Sequence, residues 1–162
     1  MHIINRIGSF FILICCCSSC TNKAVKFNDS LVHIQKSVLQ EVSGFGKKMQ
    51  RIPRDSLGVY KIKKEVQYID SFINDKIYKA KKLSAPKNGE SLKEAILEQL
   101  QFEKDVVGKI GKLAEPETFK EEKEQIETEL LSSQEKSKEL EVHVQAAQEA
   151  FAKQYQFKLE NK

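Results

Sequence analysis

The chain has 162 residues with 27 basic and 23 acidic side chains, seven glycines, three prolines and no tryptophan. That length suits one domain with a hydrophobic core, and the many Glu, Lys, Gln, Leu and Ile residues favour helices. All four cysteines lie between Cys15 and Cys20, which excludes a body held together by disulfides.

The N-terminal segment has the layout of a secretion signal. Residues 1–6 carry one basic residue and no acidic one, Ile7 to Ile14 is almost entirely apolar, and Ser18 and Ser19 precede Cys20. The apolar run is far shorter than the roughly 20 residues that a membrane-spanning helix needs. We therefore expect export without a stable membrane span.

The segment resembles bacterial lipoprotein signals, in which a small residue precedes a cysteine that is acylated and becomes the new N-terminus. The resemblance implies a signal peptide over residues 1–19 and lipidation of Cys20, which follows Ser19. Cys16 and Cys17 are alternatives, although neither follows Gly, Ala or Ser. The resemblance also implies a lipid-anchored protein of the bacterial cell envelope, facing the periplasm or the cell surface. A metal-binding tract or several palmitoylated cysteines would be other uses of the cluster.

Residues 20–26 are predicted to form a polar tether, and residues 27–162 a helical domain. Two apolar stripes with helical spacing come first. Asn28 is a predicted N-cap, and Pro53 is predicted to end the first helix. The stripes comprise Phe27, Leu31, Ile34, Val38, Val42, Phe45, Met49 and Ile52, followed by Val59, Ile62, Val66, Ile69, Ile73 and Ile77.

After a loop over residues 84–89, predicted capping boxes at Ser91 with Glu94 and at Thr118 with Glu121 open two more helices. Their stripes comprise Leu92, Ile96, Leu100, Val107, Ile110 and Leu113, then Phe119, Ile126, Leu130, Leu140, Val144, Ala147, Phe151 and Tyr155. The fourth stripe lapses over residues 132–139. We expect a long fourth helix whose middle is weakly packed.

Four stripes joined by short turns predict an all-α fold, an antiparallel (up-down) four-helix bundle with a long C-terminal helix. The alternative is a coiled-coil rod, which Pro53, Pro86 and Pro116 disfavour because they divide the chain into bundle-length pieces.

Charge divides the body into two halves. Residues 21–88 hold 15 basic and 6 acidic side chains, whereas residues 89–162 hold 11 and 17. The simplest interpretation is that the basic helices pair with the acidic ones inside the bundle.

Two basic clusters are candidate binding surfaces. The first-turn surface, a candidate contact for an acidic envelope partner, comprises Lys47, Lys48, Arg51, Arg54, Lys61, Lys63 and Lys64. The second-turn surface, a candidate contact for anionic lipid headgroups, comprises Lys79, Lys81, Lys82 and Lys87. An up-down bundle tethered at its first helix returns this second turn to the membrane.

No catalytic or cofactor motif is recognisable. His33 and His143 each lie one position off a stripe, at different heights in the predicted bundle, so no metal site is expected. Gly108 and Gly111 predict a close approach of another helix, and Gly44 and Gly46 close packing or a kink. Nucleic acid is not expected as a partner, because export would remove the protein from the compartment that holds nucleic acid. In addition, no aromatic and basic binding platform is evident in the sequence.

The body also resembles small helical-bundle lipoproteins of bacterial envelopes, through the cysteine-ended leader, the four helical segments and the helical end QAAQEAFAKQYQFKL. The resemblance implies a non-enzymatic binding or structural module without a cofactor. The alternative is a bundle that holds a small ligand or metal in its interior, for which a cavity lined by Tyr60, Tyr68 or Tyr155 with a histidine would be needed.

Overall fold

The computed structural model describes residues 4–53, 56–115 and 118–159, with side chains from residue 22 onward. Four helices follow one another: α1 (Ile4–Met49), α2 (Ser56–Lys82), α3 (Glu90–Leu113) and α4 (Lys120–Tyr155). The described part of the chain contains no strand. None of its helices is both long enough and apolar enough to cross a membrane. The predicted all-α bundle with a long C-terminal helix is confirmed.

Contacts between named side chains give the direction of each helix. Lys48 of α1 meets Glu65 of α2, and Lys104 of α3 meets Asp70 of α2. Gln35 of α1 donates a hydrogen bond to Gln99 of α3 at 2.7 Å. α1 and α3 therefore run one way, and α2 runs the other.

α4 runs antiparallel to α3, since Lys109 meets Glu129 and Glu98 meets His143. Both α2 and α4 pack on α3, but the described residues show no packing between α2 and α4. The two helices lie at separate corners of the bundle, and each keeps a face that no other helix covers.

The predicted stripes supply most of the core, although the stripe residue Phe119 is 76% exposed. Nine large side chains are almost completely enclosed: Leu31, Val38, Phe45, Ile69, Ile73, Leu92, Ile96, Leu100 and Val107. In α4, Ile126 and Leu140 are buried, but no residue between them is, so the predicted weakly packed middle is present. The helix nevertheless continues unbroken through residues 132–139.

The start of the body differs from the prediction. Residues 20–26 belong to α1, and Ala24 within them is completely buried. Because the helix begins far upstream, Asn28 is an interior helix residue and not an N-cap. Its side-chain oxygen accepts a hydrogen bond from Gln148 of α4 at 3.1 Å.

Both predicted capping boxes are wrong. α3 begins at Glu90 with Gly89 as its N-cap, so Ser91 already lies in the first turn. α4 begins at Lys120, and the Thr118 hydroxyl instead donates a hydrogen bond to the Lys112 carbonyl at the end of α3. The Lys112 carbonyl, which already accepts a hydrogen bond from the Glu115 amide, therefore gains a second donor.

The close packing predicted at four glycines is present at only one of them. A Cβ added at Gly111 would lie 3.0 Å from Cγ1 of Val66 in α2, so the predicted close approach is present there. A Cβ at Gly108, Gly44 or Gly46 would meet nothing within 4 Å. These three glycines therefore do not serve close packing.

Candidate functional site

The second-turn surface lies beside the start of the packed body. A Cβ added at Gly89, in the turn that carries Lys87, would lie 3.0 Å from Cε1 of Phe27. The hydroxyl of Tyr155, at the end of α4, donates a hydrogen bond to the Lys87 carbonyl at 2.8 Å. The beginning of the body, the α2–α3 turn and the end of α4 therefore meet at one end of the bundle.

An aromatic cluster holds this end together. The Phe151 ring lies 5.7 Å from that of Phe27, 5.0 Å from that of Tyr155 and 6.0 Å from that of Phe157. Phe157 reaches the cluster because α4 ends in a Schellman turn, with Gln156 left-handed (φ 55°) and the Phe157 amide bonded to the Ala152 carbonyl. The C-terminal segment is thus packed against Phe151, which in turn contacts Phe27 of α1.

The four lysines of the second-turn surface are all exposed. Lys79 forms an ion pair with Asp75 at 2.7 Å, and the Lys82 ammonium lies 5.4 Å above the Tyr78 ring. Tyr78 itself is 60% exposed. An exposed tyrosine among lysines is the combination that suits the boundary between water and lipid headgroups.

The first-turn surface occupies the opposite end. Lys47, Lys61 and Lys63 are exposed, as is Arg51. Lys48 bonds Glu65 at 3.1 Å, which fastens α1 to α2, and this hydrogen bond raises the pKa of Lys48. Arg54 lies outside the described residues.

Pairing between the two charge halves is not what joins the helices. Among the described residues, three ion pairs connect different helices, Lys48–Glu65, Lys104–Asp70 and Lys109–Glu129, and His143 lies 3.5 Å from Glu98. Only Lys104–Asp70 crosses between the halves, and its cation comes from the acidic half. The basic face of α2 and the acidic face of α4 therefore stay unpaired with each other within one copy.

An aromatic and basic surface, which was not predicted from the sequence, runs along α2. The Lys64 ammonium lies 4.8 Å above the Tyr60 ring, and the Lys76 ammonium lies 5.0 Å above the Phe72 ring. Tyr60 is 55% exposed and Tyr68 is 53% exposed. The sequence does contain a signal for this surface. Tyr60, Lys64 and Tyr68 are four residues apart, and residues at that spacing share a helix face. The expectation that the chain has no aromatic and basic platform is therefore wrong.

The residues considered for an interior ligand lie apart. His33 is exposed on α1, and His143 of α4 lies 3.5 Å from Glu98. In the described part of the chain, no group of three or more metal-ligating side chains is found. A groove of about 450 Å³ over α3 is lined by charged side chains such as Lys104, Lys112 and Glu129, not by those tyrosines and histidines.

Glu103 is a buried acid on the inner face of α3. It is 7% exposed, and burial raises the pKa of its carboxyl. The Glu103 carboxyl is consequently still protonated in the native state at pH values where it is ionised in the unfolded chain. The free energy of unfolding therefore falls as the pH rises above the pKa that this carboxyl has in the unfolded chain. Above the raised native pKa, the fold carries the full cost of a buried carboxylate.

We expect Glu103→Gln to raise the midpoint of thermal unfolding at pH 7.5, with the difference from the wild type shrinking as the pH is lowered to about 4. Circular dichroism melts across this range would measure it. Glu94→Gln, at an exposed position of the same helix, is the control and should change little at either pH. A pH-independent effect of Glu103→Gln would contradict the explanation.

The sequence matches no known protein family, and neither the characterised proteins nor the solved structures include a significant match to it.

Proposed function

We propose that the chain is a non-enzymatic lipoprotein of the bacterial envelope, anchored through an acylated Cys20, and that its bundle acts as a binding or structural module. The observation that carries the proposal is the position of the anchor relative to the body. Ala24, four residues after Cys20, is already fully buried in the bundle. Both residues lie in the same continuous helix.

A helical connection of four residues spans only about 6 Å. An acylated Cys20 would therefore hold the aromatic end of the bundle directly against the bilayer, where a long flexible tether would not. The second-turn surface lies at this end, since Phe27 packs beside the α2–α3 turn. Each lysine near an anionic bilayer contributes on the order of 1 kcal/mol. The first-turn surface would then point away from the membrane, toward an envelope partner.

We expect Cys20→Ser to abolish acylation and membrane retention. The sulfur of the residue after Ser19 is the proposed acceptor, and a serine hydroxyl does not replace it. Intact-mass measurement of detergent-extracted protein, with fractionation of the envelope, would test this. Wild-type protein should start at Cys20 and carry added acyl mass.

The matched control is Cys17→Ser, the same substitution three residues upstream, which should be acylated and retained like the wild type. If Cys17→Ser were the variant that lost the acyl mass, the acylated residue would be Cys17 and not Cys20. Wild-type protein without acyl mass would refute the anchor altogether.

We expect a chain beginning at Thr21 to bind vesicles that contain phosphatidylglycerol, and to release them as salt is raised, since 0.1 M salt screens charges beyond about 10 Å. Changing Lys79, Lys81, Lys82 and Lys87 together to Gln should abolish binding, as measured by vesicle co-sedimentation.

A control with the same charge change replaces four lysines of the first-turn surface by Gln: Lys47, Lys61, Lys63 and Lys64. This variant should bind nearly as well as the unchanged chain. Equal loss in both variants would mean that overall charge, and not the second-turn surface, attracts the bilayer.

A further inference from the structure

α2 and α4 carry opposite charge on faces that the bundle leaves uncovered. α2 has seven basic and three acidic side chains, whereas α4 has five basic and nine acidic. The two helices do not pack together among the described residues. Among the described residues, the ion pairs of these faces stay within one helix, as in Asp75–Lys79 and Glu124–Lys120, so the net charge of each face is available to a neighbour.

Both faces also expose apolar side chains at matching intervals. α2 exposes Tyr68 (53%) and Tyr78 (60%), ten residues apart, and α4 exposes Leu131 (71%) and Val142 (66%), eleven residues apart. Ten and eleven residues span about 15 and 16.5 Å along a helix. At about 100° per residue, each set lies on the side of its helix away from the buried residues.

Contacts through α3 set the relative height of the two faces. Lys104 meets Asp70, and Gly111 lies against Val66, so Lys109 between them is level with about residue 67 of α2. Lys109 bonds Glu129 at 2.8 Å. Leu131 is therefore within about 3 Å, along the axis, of the height of Tyr68.

A second copy beside the first, upright and at the same height, would bring these faces together. α2 and α4 both run toward the second turn, so α2 of one copy would lie parallel to α4 of its neighbour. With Tyr68 opposite Leu131, Tyr78 comes next to Val142. The same register sets opposite charges against each other three times: Lys61 with Glu124, Lys64 with Glu127, and Asp75 with Lys138.

We infer that copies of this chain associate side by side through the α2 face of one copy and the α4 face of the next. The two faces belong to different helices of one copy, so each copy engages two neighbours, and the association builds rows or rings in the membrane plane. The match of charge and apolar side chains between the two faces does not depend on the proposed function. The upright arrangement of neighbouring copies at equal height rests on the proposed lipid anchor. The acidic partner of Lys61 and Lys64 is then α4 of a neighbouring copy.

Cysteine crosslinking in cells tests the contact on the full chain, since no cysteine occurs after Cys20. Two differently tagged chains, one with Tyr68→Cys and one with Leu131→Cys, are expressed together and treated with a short bismaleimide. A mixed dimer carrying both tags is expected, well above the background from the wild-type pair and from either variant alone. No product above that background would overturn the association.

The rival register is antiparallel. It also matches charge, because it sets Lys64 opposite Glu135 and Leu57 opposite Val142, but it requires inverted copies. The pair of Leu57→Cys and Val142→Cys chains should give no product. The antiparallel register also sets Tyr68 opposite Leu131, so the pair of Leu57→Cys and Val142→Cys chains is the one that separates the two registers. A product from this pair above the background would overturn the upright arrangement.

Charge exchange supplies a second measurement. In a background that carries the crosslinking cysteines, Lys64→Glu or Glu127→Lys alone should lower the yield several-fold, and both together in every chain should restore it. Failure of the double exchange to restore the yield would overturn the register. Crosslinking that persists with Cys20→Ser would show that the association does not need the anchor. The acyl mass of the wild-type protein tests the anchor independently, so the two proposals fail separately.

Discussion

Replacing Phe151 by Ala is expected to lower the free energy of unfolding by about 3–5 kcal/mol, the usual cost of removing a large aromatic side chain from a core. Phe151 is only 3% exposed, and its ring contacts those of Phe27, Tyr155 and Phe157. Each such aromatic pair adds about 0.5–1.5 kcal/mol beyond the area that it buries. Since a domain of this size is stable by about 5–15 kcal/mol, the loss is a large fraction of the total.

Urea unfolding followed by circular dichroism at 222 nm would measure this loss, with the slope expected to stay unchanged. Phe119→Ala is the matched control, because Phe119 is 76% exposed, and it should change stability by less than about 0.5 kcal/mol. If Phe151→Ala does not fold, Phe151→Leu keeps part of the buried area and should show a smaller loss. A loss below about 1 kcal/mol for Phe151→Ala would mean that the aromatic end does not stabilise the bundle.

Replacing Gly89 by Ala is expected to destabilise the bundle by about 1–3 kcal/mol, the range for forcing an extra carbon into a packed site. The new Cβ would lie 3.0 Å from Cε1 of Phe27 and 3.1 Å from the Pro86 carbonyl oxygen. The oxygen belongs to the backbone of the same tight turn, in which the Gly89 amide bonds that carbonyl at 2.8 Å. Relief would require the turn to move away from α1.

Gly108→Ala, within α3, is the control, and it is expected to change stability in the opposite direction. Its Cβ would meet nothing within 4 Å, and Ala is favoured over Gly in a helix interior by about 0.5–1 kcal/mol. Thermal melts should therefore shift down for Gly89→Ala and up for Gly108→Ala. Equal upward shifts would show that the second turn is not packed against the start of the body.

The four helices could be predicted from the sequence because burial on one side of a helix leaves a period of three to four residues. Leu31, Val38, Ile69, Ile73, Ile96 and Leu100 were all predicted on stripes, and all are buried. The helix ends were predicted less well. Ser91 and Thr118 fit the capping pattern, but local pattern does not say which carbonyl or amide is within reach. Thr118 bonds a carbonyl of the preceding helix.

The predicted polar tether illustrates the same limit at the N-terminus. Asn22, Lys23 and Lys26 are polar in sequence, yet the chain there is helical and Ala24 is buried. Ala24 lies three residues before Phe27 and so continues the spacing of the first stripe, but one alanine among polar residues is a weak apolar signal. Its burial depends on the neighbouring helices that cover it.

The sequence by itself determined the helix content, the buried stripes, the clustering of cysteines between residues 15 and 20 and the separation of charge into two halves. Only the tertiary structure decided which charged faces meet. In the described part of the chain, α2 and α4 both pack on α3 and not on each other, so Lys61 and Lys64 gain no partner from α4 in the same copy. The physical reason is that burial of apolar stripes, worth about 25 cal/mol per Å², selects the neighbours, whereas exposed ion pairs contribute only about 0–1 kcal/mol each.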